Sequence, residues 1–288
     1  MNSDDNERQH YLLNQPRRIP LGYEEHAGDP QFATTLARGI ELIRCFSVND
    51  AMLSNAEIAE RTGLPRPTVS RLTYTLVALG YLKPSPKYGK YQLGSALISA
   101  TYPLMASIGL RQHARALMNQ LADETGGDVS MGIRDRLNIV LIESSRSHSS
   151  SLTRPLGPMA DIGLSLPIAG TAIGRAWLAA CDNLTRDHVL NELRVKSPAD
   201  WERFEPQIHA AFADCARVGF CVSSGNLVTD VCAVGVAFGR ISTGDIVAFN
   251  CAFANPLSIG QAREEWLRKD VAPRLLSMVH RLRQTRSF

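Results

Sequence analysis

No apolar run in this chain approaches the roughly 20 residues that a membrane-crossing helix needs, and the opening segment, Met1 to Gln9, has no apolar core of the signal-peptide kind. Neither membrane insertion nor secretion is expected, and the cytoplasm is the compartment these absences point to. Six cysteines, Cys45, Cys181, Cys215, Cys221, Cys232 and Cys251, include no C-x-x-C pair. Most stand among apolar neighbours, which reads as reduced, buried thiols rather than a disulfide framework or a zinc site. The patterns G-x-x-x-x-G-K-[ST], G-x-G-x-x-G, H-E-x-x-H and G-x-S-x-G are all missing, and the seven histidines show no metal-ligand spacing. No metal, no cofactor and no catalytic residue is expected; an enzyme would have to assemble its catalytic groups from positions far apart in the chain.

One further absence is local. From Arg61 to Ala122 there is no Asp or Glu, although the whole chain has 28 of them and a net charge of only +3. Arg61, Arg66, Arg71, Lys83, Lys87, Lys90, Arg111 and Arg115 all lie in that stretch. A surface stripped of acids suits a polyanion, because Lys and Arg neutralising phosphates supply most non-specific affinity for nucleic acid. A merely solvated basic face is the competing explanation.

What is present fits two domains: 288 residues, 44% of them hydrophobic, suffice for two ordinary cores. Residues 1–31 are polar, without periodicity and with a small basic knot at Arg17-Arg18, and read as a flexible arm. Leu36, Ile40, Ile43 and Phe46 then recur at helical spacing, with Thr34 or Thr35 available as N-cap. "SNAE" at Ser54 to Glu57 has the form of a capping box opening a second helix, and Gly63 is placed to end it. From Arg66 to Leu79, Val69, Leu72, Leu76 and Leu79 form one apolar stripe, and Gly80 closes the helix.

Two short helices across a tight turn are a helix-turn-helix, whose second helix lays its N-terminal residues on base edges in the major groove. Arg66, Pro67, Thr68, Ser70, Arg71 and Tyr74 occupy its free face, for phosphates or bases. "YLKPSPKYGKYQLG" follows as a hairpin whose tip carries Lys83, Lys87 and Lys90, so the arrangement is a winged helix binding double-stranded DNA.

The segments "LARGIELIRCF", "LSNAEIAERTGLPRPTVSRLTYTLVALGYL", "YQLG" and "LPIAGTAIGRAWLA" together resemble the IclR-type transcriptional regulators, over roughly Thr34 to Arg283. The resemblance implies an α+β protein: a winged helix-turn-helix domain (32–94), a linker and dimerisation helix (95–109), and a GAF- or PAS-like α/β effector-binding domain (110–288). It also adds Arg38 to the DNA-facing residues. The apolar, charge-poor stretch Ser95 to Gly109 agrees, being too uncovered for a monomer surface. A dimer or dimer of dimers on a pseudo-palindromic operator is expected.

The second half alternates helical and strand-like runs, with strands either side of a turn at Arg134-Asp135-Arg136, two more at "VCAVGVAFGRI" and "DIVAFNCAFA", and one long helix from Ser258 to Arg283. The small residues of "AGTAIGRAW" start a helix whose free amides suit a carboxylate. Carried over from the resemblance, the effector site comprises Met131, Gly157, Met159, Leu166, Ala169, Gly170, Thr171, Asp230, Cys232, Cys251 and Phe253. Each of these also reads as ordinary core packing. After Val218 to Phe220 this chain has Ser223, Ser224 and Gly225, where acidic residues are common in such regulators. The pocket therefore reads as less polar than one for a small keto-acid, and an aromatic or larger carboxylate is expected as effector. The alternatives are an enzyme acting on a small molecule with an appended DNA-binding domain and a purely architectural DNA binder; Cys215 and Cys221 are the nucleophile or redox pair such an enzyme would offer, but Cys215 lies in the amphipathic "HAAFADCARVGF" helix and reads first as core.

Overall fold

The computed structural model describes residue 23 and residues 26–48, 50–147, 161–227, 231–254 and 261–285. The chain divides into two compact units, Met1–Pro103 and Leu104–Phe288. Among the described residues no helix is long and apolar enough to cross a membrane.

In the first unit, helices α1 (Thr34–Arg44), α2 (Asn55–Thr62) and α3 (Arg66–Ala78) precede a hairpin of β1 (Leu82–Ser85) and β2 (Lys90–Leu93). The capping box forms as expected: Ser54 Oγ accepts the Glu57 amide at 3.3 Å and the Glu57 carboxylate accepts the Ser54 amide at 2.7 Å. Gly63 ends α2 at φ 65, a backbone conformation that a side chain resists. Leu42, Leu53, Ile58, Leu64, Val69 and Leu82 form the core, with Leu72, Leu76 and Val77 packed against it. Leu53 extends the hairpin to a third strand, exchanging backbone bonds of 3.0 and 2.7 Å with Tyr91.

Three local expectations fail here. Leu79 does not continue the buried stripe of α3; it stands at the C-cap, 61% exposed, where the chain turns away at Gly80. In α1 the buried residues are Gly39 and Leu42, while Leu36 and Ile40 face solvent. That helix is apolar on more than one side, and periodicity alone does not say which side meets the core. The N-cap of α1 is Ala33, with no side-chain cap bond, because the Thr34 hydroxyl points back to the Phe32 carbonyl.

Helix α4 (Ala96–Ser107) contains Pro103, and none of its residues is buried. Ile98 and Tyr102 are 75% and 69% exposed, as the apolar composition of this stretch led us to expect.

The second unit runs α5 (Leu110–Thr125), β3 (Asp128–Asp135), β4 (Asn138–Ser145), β5 (Ser165–Pro167), α6 (Ala172–Ala180), α7 (Asn183–Lys196), α8 (Pro198–Val218), β6 (Cys221–Ser224), β7 (Val231–Arg240), β8 (Ile246–Ala254), α9 (Gln261–Trp266) and α10 (Ala272–Gln284). Its strands form one antiparallel sheet in the order β5-β4-β3-β8-β7-β6. The β3–β4 turn falls one residue later than expected, at Arg136-Leu137, with Arg136 at φ 54. The expected terminal helix is interrupted by a π turn at Leu267–Val271, just before Pro273. Proline lacks an amide and crowds the carbonyl four residues back, and the widened turn relieves both.

Because strand side chains alternate, each face of the sheet builds a separate core. One joins Val129, Met131, Val234 and Phe249 to Met118 and Leu121 of α5 and to Leu275 and Val279 of α10. The other joins Ile139, Leu141 and Ala248 to Ile173 and Trp177 of α6, Leu190 of α7 and Phe204 of α8. Helix α6 starts close against the sheet: a Cβ on Gly235 of β7 would stand 2.1 Å from the Ala172 carbonyl oxygen, and one on Gly174 would be equally close to the carbonyl oxygen of Ile168 in the connection that leads into the helix. Replacing Gly235 by Ala should therefore cost about 1–3 kcal/mol, the usual range for overpacking. Gly109→Ala, at an ordinary φ of −58 with open space around it, should stay within about 0.5 kcal/mol. Denaturant midpoints of the two variants measure the difference.

Candidate functional site

Helix α3 is positioned by its buried side. Thr73 is fully buried and donates to Asn55 Oδ1 at 3.1 Å, which ties the middle of α3 to the first residue of α2. With Val69 and Thr73 turned inward, Arg66, Pro67, Ser70, Arg71 and Tyr74 are exposed and Thr68 is half-buried. Lys83 and Lys87 on the hairpin are exposed as well. Arg38, half-buried on α1, has its pKa lowered by burial.

The acid-free stretch does not translate into an acid-free surface. Arg61 stands 3.0 Å from Asp50, and Lys90 Nζ lies 2.8 Å from Glu57 Oε1. Arg111 and Arg115 both reach Glu143, at 3.2 and 3.0 Å. All three carboxylates come from outside the stretch and fold back onto it. Arg66, Arg71, Lys83 and Lys87 are left without an ion pair among the described residues. Lys90 is thus a tether between wing and helix α2, so its charge is partly spent before any phosphate arrives.

The eight expected effector residues that are described lie on two different faces of the sheet or at the start of α6. Gly157, Met159 and Asp230 lie outside the described residues. Met131, Cys232, Cys251 and Phe253 belong to the core on the α5/α10 face, whereas Ala169, with Leu166 against it, belongs to the core on the α6 face. The first group is also filled by its neighbours. Phe253 meets the Trp266 ring at 4.8 Å, Arg263 lies 4.0 Å over that same ring and donates to Cys232 Sγ at 3.5 Å, and Thr125 Oγ1 is 3.5 Å from Cys251 Sγ. Burial pushes the Cys251 thiol up to about 12. The cause of the split is parity: Cys232, Cys251 and Phe253 do share a face, but it is the one turned away from α6.

At the start of α6, Thr171 is the N-cap: its hydroxyl accepts the Gly174 amide at 3.2 Å and donates to the Pro167 carbonyl at 2.9 Å. Gly170 is hemmed in by Leu227 and Phe204, which a Cβ there would meet at 3.1 Å. The strand residues turned toward α6 are the neighbours in sequence of those expected. Asn250 sits opposite both Gly235 and Ser130, and Ser130 Oγ is 3.4 Å from Ser144 Oγ. Asn250 is 7% exposed, and its Oδ1 has no hydrogen-bond partner. Arg175, 1% exposed, donates from Nη2 to Asn226 Oδ1 at 2.9 Å, an oxygen that Ser223 Oγ also approaches at 3.0 Å. The Arg175 Nε has no partner, and burial lowers the guanidinium's pKa. Buried polar atoms without partners are uncommon and mark where a further group fits. Arg175 lay inside the quoted "AGTAIGRAW" yet carried no local signal, since only the fold makes it buried. Among the described residues no group of three or more His, Cys, Asp or Glu could hold a metal ion.

Comparison with known proteins follows this division of the chain. A model of the IclR helix-turn-helix domain matches residues 35–86, and one described as bacterial transcriptional regulator IclR C-terminal matches residues 103–253. The HTH-type transcriptional regulator TsaQ1/TsaQ2 of Comamonas testosteroni is 35% identical over 245 residues, 85% of each chain. Among solved structures, an IclR family transcriptional regulator from Brucella abortus superposes with TM-score 0.77 at 36% identity, over 91% of this chain and 96% of its own. An IclR homologue from Microbacterium hydrocarbonoxydans, complexed with 4-hydroxybenzoate, matches in fold with TM-score 0.62 at 20% identity, over 87% and 100%.

The Glu57 carboxyl is held down to about 2, from an ordinary 4.5, by the Lys90 ammonium and by the Ser54 amide and hydroxyl. A depressed acid contributes stability that is complete above its unfolded value and fades as pH falls toward its folded one. The stability difference between the native protein and Glu57→Gln should accordingly be largest above pH 4.5 and shrink steadily toward pH 2. Thermal melts across that range measure it.

Proposed function

The chain belongs to the IclR family of transcriptional regulators, and on that premise we propose how it reads DNA and which ligand it senses. It is a DNA-binding regulator with an effector-binding C-terminal domain, and its relatives are regulators rather than enzymes. The observation that carries the DNA-reading proposal is the exposed, unpaired set Arg66, Arg71, Lys83 and Lys87. Arg66, Pro67, Thr68, Ser70, Arg71 and Tyr74 enter the major groove of a duplex operator, with Arg71 on a base edge, while Lys83 and Lys87 hold the flanking phosphates. Lys90 and Arg38 support this surface from its edge.

The domain limits we propose are 32–94 for DNA binding, 95–109 for the linker and 110–288 for the effector domain, preceded by an arm at 1–31. The uncovered apolar side chains of α4, with Leu36 and Ile40 of α1, support a homo-oligomer working in the cytoplasm on a pseudo-palindromic site. For the effector we propose an aromatic carboxylate on the α6 face of the sheet. Leu166, Ala169, Gly170 and Thr171 shape it, the free amides at the start of α6 and the charge of Arg175 attract its carboxylate, and Asn250 with Ser130 meets a polar substituent. The 4-hydroxybenzoate bound by the Microbacterium homologue supports this class of ligand.

Fluorescence anisotropy with a duplex from the protein's own upstream DNA, against a scrambled duplex at two salt concentrations, tests the first part. Arg71→Ala should cost about 1–3 kcal/mol of operator affinity and relax sequence preference, whereas Lys87→Ala should weaken both duplexes alike and lower the salt slope by about 1. Unchanged operator affinity in Arg71→Ala would remove α3 as the reading helix. Calorimetry with 4-hydroxybenzoate and benzoate tests the second part: Asn250→Ala should narrow the preference for the hydroxylated acid while melting like the native protein. Equal preference in both proteins would overturn the placement of Asn250 against the ligand.

A further inference from the structure

Two cysteines stand apart from the other four. Cys215, on the penultimate turn of α8, packs against the small cluster of Ala176, Ala211 and Cys221. The chain between the two thiols is short: Gly219 reverses it at φ 81, its amide donating to the Cys215 carbonyl at 3.0 Å, and β6 begins at Cys221. Cys221 is buried and donates its thiol to the Ala172 carbonyl at 3.3 Å. Cys215 is half-buried and lines an open cleft of about 380 Å³, together with Ala176, Ala179, Phe212 and Leu276. The pair thus has an accessible member and a buried one, with the Arg175 guanidinium close enough to act on both.

We propose that Cys215 and Cys221 are an oxidisable thiol pair, Cys215 attacking a small hydroperoxide admitted through the cleft and Cys221 resolving the product as an intramolecular disulfide. In the first step the Cys215 thiolate sulfur attacks one peroxide oxygen and the O–O bond breaks. With hydrogen peroxide, the attacked oxygen stays on sulfur with its hydrogen, so that Cys215 becomes a sulfenic acid, and the other oxygen leaves as hydroxide, which takes up a proton to become water. In the second step the Cys221 sulfur attacks the Cys215 sulfur, the S–O bond breaks, and a second water leaves with the Cys221 proton. Two thiols lose two electrons and one peroxide gains them.

The surroundings favour this order of events. The Cys221 thiol beside it lowers the Cys215 pKa, as does Arg175, against burial and the Asp214 charge. The Cys215 sulfur, followed by burial, raises that of Cys221, which therefore keeps its proton until the second step. Burial raises Cys45, Cys181 and Cys251 instead. Nucleophilic thiols are thiolates, so Cys215 is chemically distinct from those three. The inference does not depend on transcriptional regulation and would hold for a protein of this fold with any other role.

The test uses the full, reduced chain exposed to about one equivalent of hydrogen peroxide, then alkylated and peptide-mapped by mass spectrometry. A disulfide between Cys215 and Cys221 is expected, and iodoacetamide should label Cys215 faster than Cys45 at neutral pH, because the thiolate is the species that reacts. In Cys221→Ser, dimedone should trap a sulfenic acid at Cys215, and in Cys215→Ser the thiol of Cys221 should remain reduced. Equal labelling of Cys215 and Cys45, or peroxide consumed by other cysteines while this pair stays reduced in the native chain, would overturn the proposal.

Discussion

Much of the second unit depends on how closely α6 lies on its sheet. With hydrogen in place of a side chain at Gly235, the backbone of β7 meets the Ala172 carbonyl at the start of the helix directly, and at Gly174 the helix meets the backbone of the connection at Ile168. Arg175 is buried on this helix, the Ala172 carbonyl is within reach of the Cys221 thiol, and the helix start lies against Gly235, the strand neighbour of Asn250. A methyl group at Gly235 would push against the Ala172 carbonyl and disturb these groups together. The proposed ligand site and the thiol pair are consequences of the same contact, seen from the two sides of α6.

Legibility in the sequence followed the range of the interactions. The capping box at Ser54 and Glu57, the turn at Gly63 and the hairpin around Lys87 are decided within a few residues, and all three form where local chemistry placed them. Which side of α1 packs is decided by α2 and α3, and so the helical spacing of Leu36 and Ile40 does not reveal that Gly39 and Leu42 are the buried residues. The acid-free stretch misled for the same reason: Asp50, Glu57 and Glu143 lie beyond its ends in sequence and against its arginines and lysine in space.

In the sheet the error was one of parity rather than of place. The strands were found, and so was the fact that Cys251 and Phe253 share a face. Alternation cannot say which of two buried faces a helix will cover, because both are apolar here. Asn250 and Ser130 became visible only once the register with Gly235 was known. Arg175 was equally hidden, since nothing in "GRAW" distinguishes a guanidinium on the surface from one sealed between a helix and a strand.

The Glu57 carboxylate has two employments, one oxygen in the cap of α2 and the other on Lys90 of the wing. The wing and the start of α2 are therefore joined through one side chain, alongside the backbone bonds of Leu53 to Tyr91. A chimaera that borrows another wing must bring along a cation at the position of Lys90, or leave a capping carboxylate uncompensated.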